Sequence, residues 1–263
     1  MLSLPFFQKA LIGGALVAVI CAAIGLFIIL RKESMIGDSV GHTAFGGIAI
    51  GLLFGIEPIL TAMLVSTFAI LAISYMRSKG IAQSDSAMAV MMAAGFAIGL
   101  VIIDLAGGFN VDLLSYLFGS VLTISDLDLT VMSVTALMVF GIILLLYKEL
   151  LAITFDEGAS RLSGIPVAAI STAFNILVAV TIVLSIKVVG IILVVALLII
   201  PGLTALQMNQ SFRWTIIASI LFGIVSVIMG IFISVVLDVA TSAAIVLVSL
   251  AVFLFVALYQ RLG

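Results

Sequence analysis

Charge is scarce in this chain. Only 8% of its 263 residues are Asp, Glu, Lys or Arg, far less polar surface than a water-soluble domain of this length needs to stay dispersed. Cysteine occurs once, at Cys21, so no intrachain disulfide can form and no redox compartment can be inferred. No G-x-x-x-x-G-K-[ST] phosphate loop is present, which excludes ATP hydrolysis by that device, and no H-E-x-x-H excludes that metalloprotease chemistry. Nor do a nucleophile, a base and an orienting group occur together, so an intramembrane enzyme has no support. Histidine also occurs once, at His42.

What fills the space is apolar. Hydrophobic residues make up 65% of the chain, mean hydropathy is +1.53, and the apolar runs recur at the ~20-residue length that crosses a bilayer as a helix. Apolar length and Gly, Pro and charge punctuation place spans at 10–30, 36–55, 58–76, 86–106, 128–147, 166–186, 189–207, 214–236 and 241–260. The expected fold is all-α, a polytopic transmembrane helical bundle of 8–9 spans forming one domain over residues 1–263. Gly and Ala within the runs suit close helix packing in lipid. The first run, "KALIGGALVAVICAAIGLFIILRK", is too long for a signal-peptide core and reads as a retained span. "VDLLSYLFGSVL" (111–122) is too short to cross and reads as a small interfacial or re-entrant helix.

Alternating spans gather Arg31, Lys32, Arg77, Lys79, Lys148, Arg161, Arg213 and Arg261 on one side, leaving Lys9 and Lys187 on the other. Positive charge stays inside, which gives an outer N-terminus and a cytoplasmic C-terminus. The outer side collects Glu57, Asp104, Asp112, Asp126, Asp128 and Asp238. Such a face draws cations at short range; ordinary solvated loop ends explain the same residues.

The longest cytoplasmic segment is "YKELLAITFDEGASRLSGIPV", 147–167. Its middle carries Asp156 and Glu157 at a helix start, and Gly164 and Pro166 past its end, matching dipole and capping preferences. A short helix along the cytoplasmic face is either a docking element for a soluble partner or a plain loop.

Asp38 and His42 stand four residues apart in "MIGDSVGHTAFGGIAIGLLFG" (35–55) and share a helix face. A carboxylate and an imidazole can both touch one ion, and the pair suits zinc, manganese or ferrous iron. Ionisable groups inside spans are costly and face cavities or pathways. Gly37, Gly41, Gly46 and Gly47 are expected to leave one side of the helix without bulk. Three other readings stay open: Asp38 as the helix N-cap, His42 as a packing side chain, and a proton relay, for which Asp104 and Asp238 are the remaining acids near span ends. The span boundaries put Asp38 only a turn or so from the cytoplasmic end.

"IGDSVGHTAFGGIAIGLLFG" (36–55) resembles the second-helix signature of the ABC-3 permease family, the membrane subunits of bacterial zinc and manganese importers. "FDEGASRLSGIPV" (155–167) resembles its cytoplasmic coupling loop, "KVVGIILVVALLIIPGLTAL" (187–206) its segment ending in Pro, Thr and Ala, and "LDVATSAAIVLV" (237–248) the start of its last span. These stretches lie in family order over nearly the whole chain. Gly41 and Gly46 replace the Ser and Pro often found around the histidine, and Val239 and Ala240 replace prolines after Asp238.

The resemblance implies a type II ABC importer permease that carries no permanently bound cofactor and no nucleic acid. Its partners would be a second permease copy in a homodimer, separate ABC ATPase subunits, an extracellular metal-binding lipoprotein or periplasmic protein, and membrane lipid of the bacterial cell membrane. It further implies Asp38 and His42 as metal ligands, Asp238 as a pathway residue, and a 150–166 coupling loop in which Phe155, Asp156, Glu157, Arg161 and Gly164 meet the ATPase. "NVDLLSYLFGSVLTISDLDL" (110–129) looks more like the zinc branch than the manganese branch, so zinc is the expected cargo, ahead of manganese and iron. A secondary metal or proton-coupled transporter acting alone is the rival class.

Overall fold

The computed structural model describes residues 5–108, 116, 119 and 124–262. Helices occupy all nine expected places: α1 (Pro5–Leu30), α2 (Ile36–Phe54), α3 (Pro58–Ser78), α4 (Ser84–Leu105), α5 (Asp126–Leu145), α8 (Val167–Val189), α9 (Ile191–Leu206), α10 (Phe212–Leu237) and α11 (Thr241–Leu262). Two short helices, α6 (Tyr147–Phe155) and α7 (Glu157–Leu162), lie between α5 and α8. Seven of the nine are long and apolar enough to cross a membrane. The exceptions are α2, diluted by Asp38, His42 and its glycines, and the 16-residue α9. The 111–122 helix expected from sequence falls, apart from Tyr116 and Gly119, outside the described residues.

Ion pairs fix the two ends of the bundle. Lys9 Nζ lies 2.8 Å from Asp126 Oδ1 and Lys187 Nζ 2.8 Å from Asp128 Oδ1. The start of α1, the start of α5 and the end of α8 therefore share one end. The other end is joined by Arg77 Nη1, 2.8 Å from Glu33 Oε1, which brings the close of α3 to the α1–α2 turn. Alternation along the chain then collects Arg31, Lys32, Arg77, Lys79, Lys148, Arg161 and Arg213 at this second, basic end.

α1 runs through the centre, flanked by α5, α8, α9 and α10. Its sequence is apolar all round, which is what a helix surrounded by protein requires, and Val17, Ile20, Ile24 and Phe27 are fully buried. Gly223 of α10 faces Ala18, and Ser219 Oγ donates to the Ala22 carbonyl at 3.1 Å, a small-residue contact of the kind that brings helices together in lipid. The outer surfaces of α3, α4, α5, α10 and α11 expose large side chains such as Phe68, Leu105, Leu137 and Phe255. In water such a surface would drive aggregation; in a bilayer it is solvated by lipid tails.

Local chemistry sets the helix ends. Glu57 caps α3, its Oε2 accepting from the backbone N–H of Ile59 at 2.6 Å, with Pro58 following in the first turn. Ser125 and Asp128 form a reciprocal capping box on α5. Gly190, at φ 82° and ψ 162°, separates α8 from α9 in a conformation that is essentially glycine-only.

A candidate metal pathway on the second helix

α2 begins at Ile36 with Met35 as N-cap, so Asp38 stands inside the first turn and the capping reading of this residue is not what the structure has. A carboxylate there still meets the positive end of the helix dipole. From Ile36 to Ala49 every residue is buried except two, Asp38 and His42, each half-buried. The polar pair therefore marks the one open stripe on the enclosed part of the helix, before its last turn.

The enclosure is built from glycine, though not along one side. Gly37 and Gly41 face α9, where an added Cβ would stand 3.2 Å from Leu198 Cδ2 and 2.9 Å from Ile191 Cγ2. Gly46 faces α4, 2.6 Å from the Gly95 carbonyl oxygen, and Gly47 faces α3, 2.6 Å from the Ala62 Cα. The expectation of a single bulk-free side is corrected: 37 and 46 are nine residues apart, about half a turn out of phase at 3.6 residues per turn, so the glycines serve opposite faces. All are filled by neighbouring helices, and the open stripe between them belongs to Asp38 and His42.

His42 is held by an aromatic neighbour on α4. Its ring meets Phe96 edge-on, with centroids 5.0 Å apart, and Phe96 in turn leans on Phe45 at 5.6 Å. Among the described residues, no cluster of three or more His, Cys, Asp or Glu could hold a metal ion. One chain thus offers two donors, one oxygen and one nitrogen. Asp238 does not join them: it sits exposed at the left-handed C-cap of α10 (φ 52°), at the bundle end opposite Asp38. Asp104 is likewise exposed at the close of α4, and Asp112 lies outside the described residues.

At the basic end, the segment expected to be a short helix is one, spanning Glu157–Leu162. Asp156 caps it, Oδ1 accepting from the Ala159 N–H at 2.9 Å. Gly164 closes it at φ 82°, with the Gly164 N–H bonding the Arg161 carbonyl and the Ile165 N–H bonding that of Ser160. This is a Schellman stop, in which glycine takes the left-handed position at least cost. Phe155 and Leu162 project outward, 70% and 92% exposed, on either side of the turn. Glu157 and Arg161 pair along the helix at 2.7 Å.

Sequence reasoning did not join Glu33 to Arg77, which it read only as a basic-end charge, and did not find Phe96. The first two meet across 44 positions, and only folding brings Phe96 against His42.

The residues 3–260 match the model of the ABC 3 transport family. The chain belongs to that family. Its likeness to individual members is of full length. It is 38% identical to the manganese transport system membrane protein MntC of Halalkalibacterium halodurans, over 96% of this chain and 87% of that one. It is 32% identical to the manganese import system permease protein ScaB of Streptococcus gordonii, over 97% and 93%. A protein of Haemophilus influenzae named for iron transport is 33% identical, over 99% and 96%. Among solved structures, PsaBC from Streptococcus pneumoniae in complex with Fab superposes with a TM-score of 0.86 at 31% identity, covering 97% of this chain and 91% of that one. This member of the ABC 3 family is therefore a multi-pass membrane permease subunit of a metal ABC transporter, and not itself an enzyme. These relatives are named for manganese and iron transport, and none of the three for zinc.

Proposed function

We propose that this chain is the permease of an ATP-driven manganese importer in a bacterial plasma membrane, with its basic end and C-terminus in the cytoplasm and its N-terminus outside. The observation that carries the pathway is that, from Ile36 to Ala49, α2 is open at Asp38 and His42 alone. An acid and an imidazole turned toward lipid would be expensive, so the stripe is best met by a second copy of this chain. Two copies bring two carboxylates and two imidazoles, the four donors that a pair from one chain lacks. Oxygen and nitrogen donors suit manganese and ferrous iron as well as zinc. The preference for manganese over the zinc expected from sequence rests on the relatives' names.

The residues divide the work as follows. The acidic outer end receives a binding protein and its ion, which passes as cargo to Asp38 and His42. His42, set by Phe96, presents one ring nitrogen. Asp38 supplies negative charge that offsets the ion's lost hydration. Below, Phe155 and Leu162 on the α6–α7 elbow seat in a separate ATPase subunit, and nucleotide-driven movement of that subunit shifts α7. No permanently bound cofactor is needed.

The test is trace-metal uptake in cells lacking their own high-affinity importers, expressing this chain with its ATPase and binding protein. Manganese accumulation by the wild type, lost in His42→Gln and Asp38→Asn at equal membrane abundance, is the expected result. Uptake of zinc or iron in place of manganese would reassign the cargo. Undiminished uptake in both variants would return the pair to packing.

A further inference from the structure

The proposed function leaves open how movement of α7 reaches α2. α7 has little grip on the bundle through apolar packing: of its six residues only Ser160 is buried. Cavities lie on either side of its base. One, of about 210 Å3, opens between α3, α7 and α8 and is lined by Ser74, Ser171, Thr172 and Asn175. The other, of about 400 Å3, opens beneath the α1–α2 turn beside Lys32, Ser84 and Asp85. Both are lined by Arg77 and Glu157. Close-packed interiors transmit strain and resist displacement; here the space around α7 is open, and what crosses it is charge.

Arg77, in the last turn of α3, spans that gap. Its Nη1 donates to Glu33 Oε1 at 2.8 Å, and its Nη2 lies 3.9 Å from Glu157 Oε2. On the Glu33 side the contact is rigid. The Glu33 side chain is only 4% exposed, and its Oε2 lies 3.6 Å from Arg31. The Arg31 guanidinium rests over the Phe174 ring at 5.3 Å. The backbone holds the same point, because the Glu33 N–H bonds the Ile28 carbonyl and the Glu33 carbonyl accepts from Ile36, the first residue of α2. Two residues further on is Asp38. On the Glu157 side the contact is long and partly solvated, as suits a joint that changes length.

We propose that Arg77 is a positioning residue for transport, a strut that passes displacement of α7 through Glu33 to the first turn of α2 and so to Asp38 and His42. The proposal rests on the functional reading above. A planar guanidinium with several fixed donors can hold two carboxylates at once, which an ammonium on a flexible stem does less well.

The experiment uses the complete transporter, purified with its ATPase and binding protein and reconstituted in vesicles, with radioactive manganese as the probe. Ion uptake and ATP hydrolysis are measured together, and their ratio is the readout. Arg77→Gln is expected to lower ions moved per ATP about tenfold, within the range couplings of this kind span, while hydrolysis persists. Arg77→Lys recovers part of the ratio. Glu157→Gln, a partly exposed site that does not threaten folding, lowers it less while affinity for the ATPase subunit is unchanged, which separates the strut from docking and decides the matter if Arg77→Gln fails to accumulate. The double variant Glu33→Gln with Arg77→Gln removes the buried carboxylate along with its partner. A return to the wild-type ratio in the double overturns the strut, because the single variant's defect was then only the buried Glu33 carboxylate left with Arg31 alone, 3.6 Å away. An unchanged ratio in both Arg77→Gln and Glu157→Gln also overturns it. A wild-type complex that moves no divalent metal overturns the functional reading itself, which distinguishes that failure from failure of the strut.

Discussion

The His42 ring stands edge-on to Phe96 across the α2–α4 contact, centroids 5.0 Å apart. A phenyl ring in that place restrains the imidazole plane, and with it the direction in which a ring nitrogen would meet an ion in the proposed pathway. Aromatic pairs of this kind contribute about 1 kcal/mol beyond area burial, or roughly fivefold in an equilibrium constant. Phe96→Ala should therefore weaken manganese uptake at low concentration by a few-fold, with uptake recovering as the ion is raised. Phe96→Leu, which keeps bulk and loses the ring, should fall between. An effect on maximal rate alone, with half-saturation unchanged, would count against ring orientation.

Gly46 and Gly95 mark where α2 and α4 come closest, a Cβ on Gly46 standing 2.6 Å from the Gly95 carbonyl oxygen. Backbone cannot yield as a side-chain tip can. Gly46→Ala should force the helices apart at a cost of about 1–3 kcal/mol, as overpacking does, and lower the melting temperature of the detergent-purified protein by several degrees. Gly41→Ala meets side-chain methyls in place of backbone, Ile191 Cγ2 at 2.9 Å and Val195 Cγ2 at 4.0 Å, and should cost less. Equal losses in the two variants would contradict this ordering.

The spans were readable from sequence because apolar length is a local property: twenty residues without charge need nothing distant to become a crossing helix. The α7 turn was readable for the same reason, since Asp156 and Gly164 cap it through contacts a few residues long. The faces of α2 were not. Gly37 and Gly46 look alike in the sequence, yet one meets Leu198 and the other Gly95, and only the packed bundle separates them. The ligand pair was visible as an i, i+4 spacing; its setting against Phe96, and the Glu33–Arg77 contact at the basic end, depend on residues dozens of positions away. The choice between manganese and zinc had no physical signal in the chain at all, because Asp and His bind both.

Asp156 and Gly164 bracket α7 so tightly that the helix depends on them. Removing an N-cap side chain costs about 1 kcal/mol, and a side chain at the left-handed Gly164 about the same. A six-residue helix has little else to hold it. Asp156→Ala with Gly164→Ala should fray α7 without disturbing the spans: thermal unfolding stays within a degree or two of wild type, while affinity for the ATPase subunit drops tenfold or more. Full ATPase binding by the double variant would show that the elbow docks through Phe155 and α6 instead.

Gly190 and Gly141 receive the same substitution with opposite consequences. At Gly190, φ 82° and ψ 162° admit almost no residue with a Cβ, and such strain costs about 1–3 kcal/mol. The residue is also the junction between α8 and α9. Its N–H bonds the Ile186 carbonyl, its carbonyl accepts from Val194, and the next side chain, Ile191, lies against Gly41 beside His42. Gly190→Ala should lower the melting temperature by several degrees and also slow transport, because any relaxation tilts α9 against α2, the helix of Asp38 and His42. Gly141 lies inside α5 with nothing within 4 Å of a Cβ placed there. Gly141→Ala should be neutral or raise stability by up to about 1 kcal/mol, since alanine is the better helix former, and leave uptake untouched. A Gly190→Ala protein that melts and transports like the Gly141→Ala control would remove the junction from the mechanism.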